Sequence, residues 1–174
     1  METGKIFNTI EINTPLGSMI ALADAQKLYL LAFADQPDLA HDMEVLGSKN
    51  STITSGYTAP LASIEQELTA YFHRSLREFK TPLHLTGSLF QQVVWLELMR
   101  TPYGATRSYT HIARSIGKKM ACRAVARANS ANYLAIIIPC HRIIRNSGLI
   151  GGYNGGIHRK EWLISHEQQH VCTP

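Results

Sequence analysis

"AIIIPCHRIIRNSGLIGGYNGG", residues 135–156, carries most of the chemistry in this chain. The apolar run at 136–138 reads as strand-like and ends at Pro139, Cys140, His141 and Arg142. A cysteine attacks only as thiolate, and its free pKa is about 8.5, so a base or positive field must sit beside it. His141 and Arg142 supply those groups. Adjacent side chains rarely hydrogen-bond face to face, so His141 would reach Cys140 through a water or a backbone bend. It would also need an orienting acceptor. Residues 100–174 hold only two acids, Glu161 and Glu167, and Glu167, at the end of the last expected helix, can fold back. The competing readings are a buried structural thiol for Cys140 and a surface or capping histidine for His141. Pro139 before the cysteine and His-Arg after it favour the nucleophile.

The glycines downstream (148, 151, 152, 155 and 156) let backbone approach a flat ligand closely. Tyr153 stands among them and can wall or stack on a planar ring. A phosphate-binding loop would need the Gly-Lys-Ser/Thr ending, which is missing. A flexible turn explains the glycines but not the aromatic at their centre.

Upstream, "SLFQQVVWLELMR" predicts a helix with Ser88 as N-cap. "SYTHIARSIGKK" and "ACRAVARANS" predict two short helices joined at Gly117, with Arg123 and Arg127 on the second, in the manner of a helix-turn-helix. "HRKEWLISHE" predicts a final helix. The first 35 residues read as three strands, "KIFNTIEI", "SMIALAD" and "KLYLLAFAD", the first two flanking the turn signal "NTPLG". Residues 36–60 are polar and broken by proline and glycine, so little regular structure is expected there. "LASIEQELTAYFHRS" places Leu61, Ile64, Leu68, Tyr71 and Phe72 on one helical face. "TPLHLTGS" reads as a connection, dividing the chain into domains at 1–84 and 85–174.

The 174 residues are 45% hydrophobic and 17% charged, a globular composition. No run reaches the roughly 18 apolar residues that would cross a bilayer. The N-terminus lacks the pattern of a signal peptide, so a cytoplasmic location, or a nuclear one in a eukaryote, is expected. Cys122, Cys140 and Cys172 match neither a disulfide framework nor a zinc template and read as free thiols. The net charge of +4 is unevenly spread. Residues 1–99 hold six Lys/Arg against eleven Asp/Glu, and residues 100–174 hold eleven against two. The basic half suits a polyanion, or else is a solvated surface.

Together, "IPCHRIIRNSGLIGGYNGG…RKEWLISHE" resembles the active-site signature of the O6-alkylguanine-DNA alkyltransferases, the methylated-DNA–protein-cysteine methyltransferases. The resemblance is strong from Phe90 to Glu167 and extends to the N-terminal part only in layout. It implies an α+β fold. A small N-terminal antiparallel sheet with helices would precede a helical C-terminal domain holding a helix-turn-helix and the cysteine loop. It implies that Cys140 takes the alkyl group from O6-alkylguanine, and from O4-alkylthymine, in double-stranded DNA, irreversibly and once per molecule. His141, through water, with Glu167 behind it, would favour the thiolate, and Tyr109 would give a proton to the leaving guanine. Arg123 would fill the gap left by the flipped nucleotide, with Arg127, Ser130 and Thr110 on the DNA-facing surface. Asn132 would tie the DNA-binding unit to the cysteine loop. Tyr153, Asn154, Gly155 and Gly156 would line the pocket. No cofactor, metal or membrane is implied, and a monomer is expected.

Two positions depart from the family pattern. Tyr133 replaces the proline that normally follows the hinge asparagine, and Ala126 stands where glycine is frequent. Two other functions fit parts of the sequence. One is a lesion-binding protein of the same fold that transfers nothing, which the presence of Cys140 disfavours. The other is a cysteine hydrolase using Cys140 and His141, which the basic helix pair disfavours.

Overall fold

The computed structural model describes residues 5–47 and 51–171. Cys172 lies outside them. The chain forms two compact units, Met1–Thr86 and Gly87–Pro174.

In the first unit, β1 (Ile6–Ile12), β2 (Met19–Ala23) and β3 (Leu28–Phe33) form the expected antiparallel meander. Every residue of β3 is buried, as its continuous apolar run requires. The segment at 36–60 departs from expectation. It contains a helix, α1 (Leu39–Leu46), and a strand, β4 (Thr52–Ser55), which joins β1 in parallel and makes the sheet order β3-β2-β1-β4. The sheet is therefore mixed at one edge. The sequence conceals both elements for one reason. Only Leu46 of α1 is buried, and all four residues of β4 are exposed, so neither imposes an apolar period. Backbone pairing holds β4, helped by Asn8 Nδ2, which donates to Thr54 Oγ1 at 3.1 Å.

The helix α2 (Ala59–Phe72) buries Leu61, Ile64, Leu68 and Tyr71. It starts two residues earlier than its apolar pattern because Pro60 is tolerated in a first helical turn. The connection after it is pinned to the sheet. Leu28 N donates to Pro82 O and His84 N to Leu28 O, both at 2.8 Å.

The second unit begins with α3 (Leu89–Met99). Ser88 and Gln91 close a reciprocal capping box at its start, which satisfies two otherwise unpaired amides. Gly87 has no side chain for a packing reason: a Cβ there would lie 2.5 Å from the Trp95 ring. That ring donates from Nε1 to Ala128 O at 2.8 Å. This ties α3 to α5 (Cys122–Ser130), the second helix of the pair begun by α4 (Tyr109–Ser115). Gly117 ends the first helix with φ +71°, a conformation that glycine adopts without penalty. Two short parallel strands flank the pair in the chain, β5 (Arg107–Ser108) before it and β6 (Ile143–Ile144) after it. The unit closes with α6 (Ile157–Val171).

The strand-like run before Cys140 is not a strand. Residues 134–138 form a buried turn in which Ile136 takes φ +70°. That backbone is strained for a β-branched residue, by roughly 1–3 kcal/mol. Asn132 holds the turn closed: its Nδ2 donates to Leu134 O and Ile138 O, and its Oδ1 accepts from Leu134 N. The buried side chains of Leu134, Ile136 and Ile138 offset the strain. β-branching here reflects burial, not extension.

Candidate active site

Cys140, His141 and Arg142 occupy a single helical turn, all buried. The bend gives neighbouring side chains separate partners. Asn132 Nδ2 donates to Cys140 Sγ at 3.2 Å, so the hinge asparagine reaches the sulfur directly. His141 Nε2 lies 2.8 Å from Glu167 Oε1. A carboxylate only accepts, so the proton is on Nε2. Nδ1 then carries the lone pair, and it is buried with no hydrogen-bond partner among the described residues.

Glu167 accepts at both oxygens. Oε1 accepts from His141 Nε2 and Arg142 Nη2, and Oε2 accepts from Arg142 Nε and the backbone N of Gly104. Arg142 Nη1 donates to Thr101 O at 2.7 Å. These four N–H groups draw on the lone pairs of both carboxylate oxygens. Of the two acids, the fold therefore brings Glu167 to the histidine, while Glu161 is exposed.

Burial raises the Cys140 pKa, only partly offset by Asn132 and the charge of Lys160. Burial lowers that of His141, outweighing the raising effect of Glu167. Burial alone would raise Glu167, but His141 and Arg142 hold it well below the carboxylate range. At neutral pH the resting site is a thiol, a neutral imidazole and a carboxylate.

A pH dependence of stability follows. The folded pKa of His141 is below its unfolded 6.5 and that of Glu167 below 4.5. Below each unfolded value the unfolded chain binds a proton that the native state refuses. Both linkages give stability that is complete above pH 6.5 and declines on acidification, with His141 acting first. The urea midpoint is expected to fall between pH 7.5 and 5.0, and to fall less in His141→Gln. A wild-type midpoint unchanged across that range would contradict a neutral His141.

Lys160 is a site residue that the sequence reading missed. It is fully buried on α6, and its Nζ donates to Ile143 O at 2.5 Å. Burial lowers its pKa, and negative charge on Cys140 opposes that shift. A signal was present: the buried face of α6 is Arg159, Lys160, Leu163, His166 and Glu167. A core-facing stripe made mostly of ionisable residues marks a site rather than a core. Gly104 gave no signal, because its contribution is a backbone amide.

Of the residues expected to line a pocket, Tyr153 lies near the thiol, as does Tyr109. Tyr153 is partly buried, and its hydroxyl, near Cys140, is buried with no hydrogen-bond partner among the described residues. Burial and the Cys140 charge push its pKa well up. Tyr109 packs against Gly151, where a Cβ would lie 3.3 Å from its hydroxyl, so a side chain at 151 would displace it. Asn154 donates to Ser130 O at 2.7 Å, which joins the glycine loop to the end of α5. Arg159 Nη1 holds Gly155 O, and Gly156 takes φ +93°.

Arg123, Arg127 and Ser130 are exposed along α5. Thr110, on α4, accepts from Asn146 and lies 3.8 Å from Cys122 Sγ. Tyr133 leaves every Asn132 hydrogen bond in place, and Ala126 sits within an unbroken α5. Among the described residues, no group of three or more His, Cys, Asp or Glu could hold a metal ion. Nor, among those residues, is any helix long and apolar enough to cross a membrane.

Fold and site define a protein that presents a buried cysteine, next to a histidine paired with a glutamate, in the same unit as a basic pair of short helices. The family model described as "6-O-methylguanine DNA methyltransferase, DNA binding domain" matches residues 89–169. A methylated-DNA–protein-cysteine methyltransferase of Mycolicibacterium paratuberculosis is 40% identical over 144 residues, 81% of this chain and 87% of that protein. The constitutive enzyme of Bacillus subtilis is 38% identical over 142 residues, 82% and 83% of the two chains. Mycobacterium tuberculosis OGT in complex with DNA superposes with a TM-score of 0.81 at 37% identity, covering 95% of this chain and 94% of that one. The chain belongs to the methylated-DNA–protein-cysteine methyltransferase family.

Proposed function

We propose that this protein repairs double-stranded DNA by taking the alkyl group of O6-alkylguanine, and of O4-alkylthymine, onto Cys140, once per molecule. One observation carries the proposal. The Cys140 sulfur is held by Asn132 beside a histidine whose Nε2 is locked on Glu167 and whose Nδ1 is unpartnered.

The chemistry follows from those positions. The buried thiol is protonated at rest and gives up its proton as the sulfur attacks, with His141 Nδ1 accepting it directly or through one water. Glu167 steadies the resulting imidazolium, Arg142 holds that carboxylate in place, and Lys160 adds positive charge near the sulfur. The S–C bond forms as the O6–C bond breaks. Tyr109 gives a proton to the departing guanine and recovers one from His141, so the thiol proton ends on the base. A thioether has no ready leaving group, so the sulfur is consumed.

The alkyl carbon is stacked inside the duplex, and flipping the nucleotide out costs a few kcal/mol. The exposed cations of α5 can offset that cost through phosphate contacts and an inserted Arg123. The protein acts as a monomer without a cofactor. Tyr153 lines the purine pocket together with Gly155 and Gly156. Asn154 supports the pocket through Ser130.

Excess lesion duplex tests the single use: repair should stop at one lesion per protein, whereas continued turnover would indicate a hydrolase. Arg123→Ala separates flipping from chemistry. Transfer from duplex is expected to slow by about tenfold or more, the scale of a few kcal/mol of flipping. Reaction with free O6-benzylguanine should be unchanged. Equal losses on both substrates would remove Arg123 from the flipping step.

A further inference from the structure

The β5–β6 ladder ends where Tyr109 and Arg145 begin. Arg107 pairs with Ile143 and Ser108 with Ile144 in parallel register. The next residue of each strand therefore leaves the ladder beside the other. Gly151 marks how near they come: its ideal Cβ position lies 3.3 Å from Tyr109 Oη and 3.8 Å from Arg145 Cγ.

The turn carrying Arg145 is fixed at three points. Arg145 N donates to Leu149 O and Gly148 N to Arg145 O, each at 2.9 Å. Asn146 Nδ2 donates to Thr110 Oγ1 at 2.6 Å, on the helix that Tyr109 opens. Arg145 is exposed and joins none of the ion pairs among the described residues. A guanidinium is always charged, and here the side chain that carries it leaves a fixed backbone with its Cγ close to a phenol and without a carboxylate of its own.

We infer that Arg145 is the countercharge of Tyr109, stabilising the phenolate left when that residue gives its proton to the departing guanine. The inference rests on the proposed role of Tyr109 as proton donor. When the Tyr109 O–H bond breaks, the proton passes to the base and negative charge remains on Oη. The charge persists until the proton that His141 took from Cys140 returns to it. The groups facing Tyr109 are Cys140 from the one-turn helix, Cys122 from α5 and Arg145 from the turn. Burial and both thiols oppose ionisation of the phenol, and Arg145 alone of these favours it. Arg145 acts through Tyr109 and is a positioning residue.

An exposed arginine could serve a DNA phosphate instead, so the decisive substrate is free O6-benzylguanine, which has no phosphate. Arg145→Met is expected to slow single-turnover transfer from it by roughly three- to fivefold, the size of one partly screened charge. Arg145→Lys should restore most of the rate. In a Tyr109→Phe background Arg145→Met should cause no further loss. Carbon-13 NMR of ring-labelled tyrosine, with the Tyr109 signal identified by Tyr109→Phe, should show its pKa higher in Arg145→Met than in wild type. Slowing confined to duplex DNA, or equal slowing with and without Tyr109, would overturn the inference. A Tyr109→Phe variant as fast as wild type would overturn the donor role and the inference with it, while alkyl transfer to wild-type protein would still stand.

Discussion

Cys140→Ser is expected to abolish alkyl transfer while leaving affinity for lesion duplex nearly unchanged. A serine hydroxyl keeps an oxygen for the Asn132 Nδ2 donor that now meets Sγ at 3.2 Å, so the turn at 134–138 stays closed. The chemistry does not survive. A hydroxyl is far harder to ionise than a thiol, and a neutral His141 at the edge of its range cannot compensate. The loss should exceed about a thousandfold in single-turnover rate, the scale on which removing a nucleophile acts. The residues proposed to meet DNA, Arg123, Arg127 and Ser130, are exposed on a different element. Retained transfer would take Cys140 out of the mechanism. Loss of binding together with transfer would mean that the substitution had unfolded the loop.

Glu167→Gln has the second largest expected effect, and it acts on two quantities. The carboxylate accepts from His141, twice from Arg142 and from Gly104. An amide offers one acceptor oxygen and turns its NH2 toward donors at the other position. Arg142 is buried and would be left with its charge unbalanced, a loss of about 3–5 kcal/mol when one member of a buried pair is removed. If the amide oxygen stays with Arg142, its NH2 faces His141 Nε2, which must then become the acceptor. The proton moves to Nδ1, and the base toward the thiol is lost. A wrong histidine tautomer in a nucleophile–base–acid set lowers rates by about ten-thousandfold. Thermal unfolding and single-turnover kinetics read the two effects separately. A variant with wild-type stability would contradict the four-donor arrangement. One with a wild-type rate would contradict the role of the Nδ1 lone pair.

The sequence displays its chemistry more openly than its path. Cys140, His141, Tyr153 and the glycines lie close together in the chain, and their side-chain types state what they can do. Ser88, Gly117 and the apolar faces of α2 and α3 mark helix limits through local capping and periodicity. Where structure rests on backbone or on distant partners, those signals fail. The strand β4 is wholly exposed and held by pairing with β1. Ile136 adopts a left-handed backbone because Asn132 and burial impose it, so β-branching misleads there. Glu167 could be selected from a short list, but its contact with Gly104 joins residues 63 apart through an amide that no side chain announces. Lys160 was legible in principle, on the ionisable buried stripe of α6. Reading it requires knowing which face of the helix points inward.

The most direct test is mass spectrometry of the intact protein after mixing with a duplex carrying one O6-methylguanine, followed by peptide mapping. The expected result is a gain of one methyl group, located on Cys140 and saturating at one per protein. An unchanged mass with tight binding to the lesion duplex, or a methyl group on Cys122 or Cys172, would contradict alkyl transfer to Cys140.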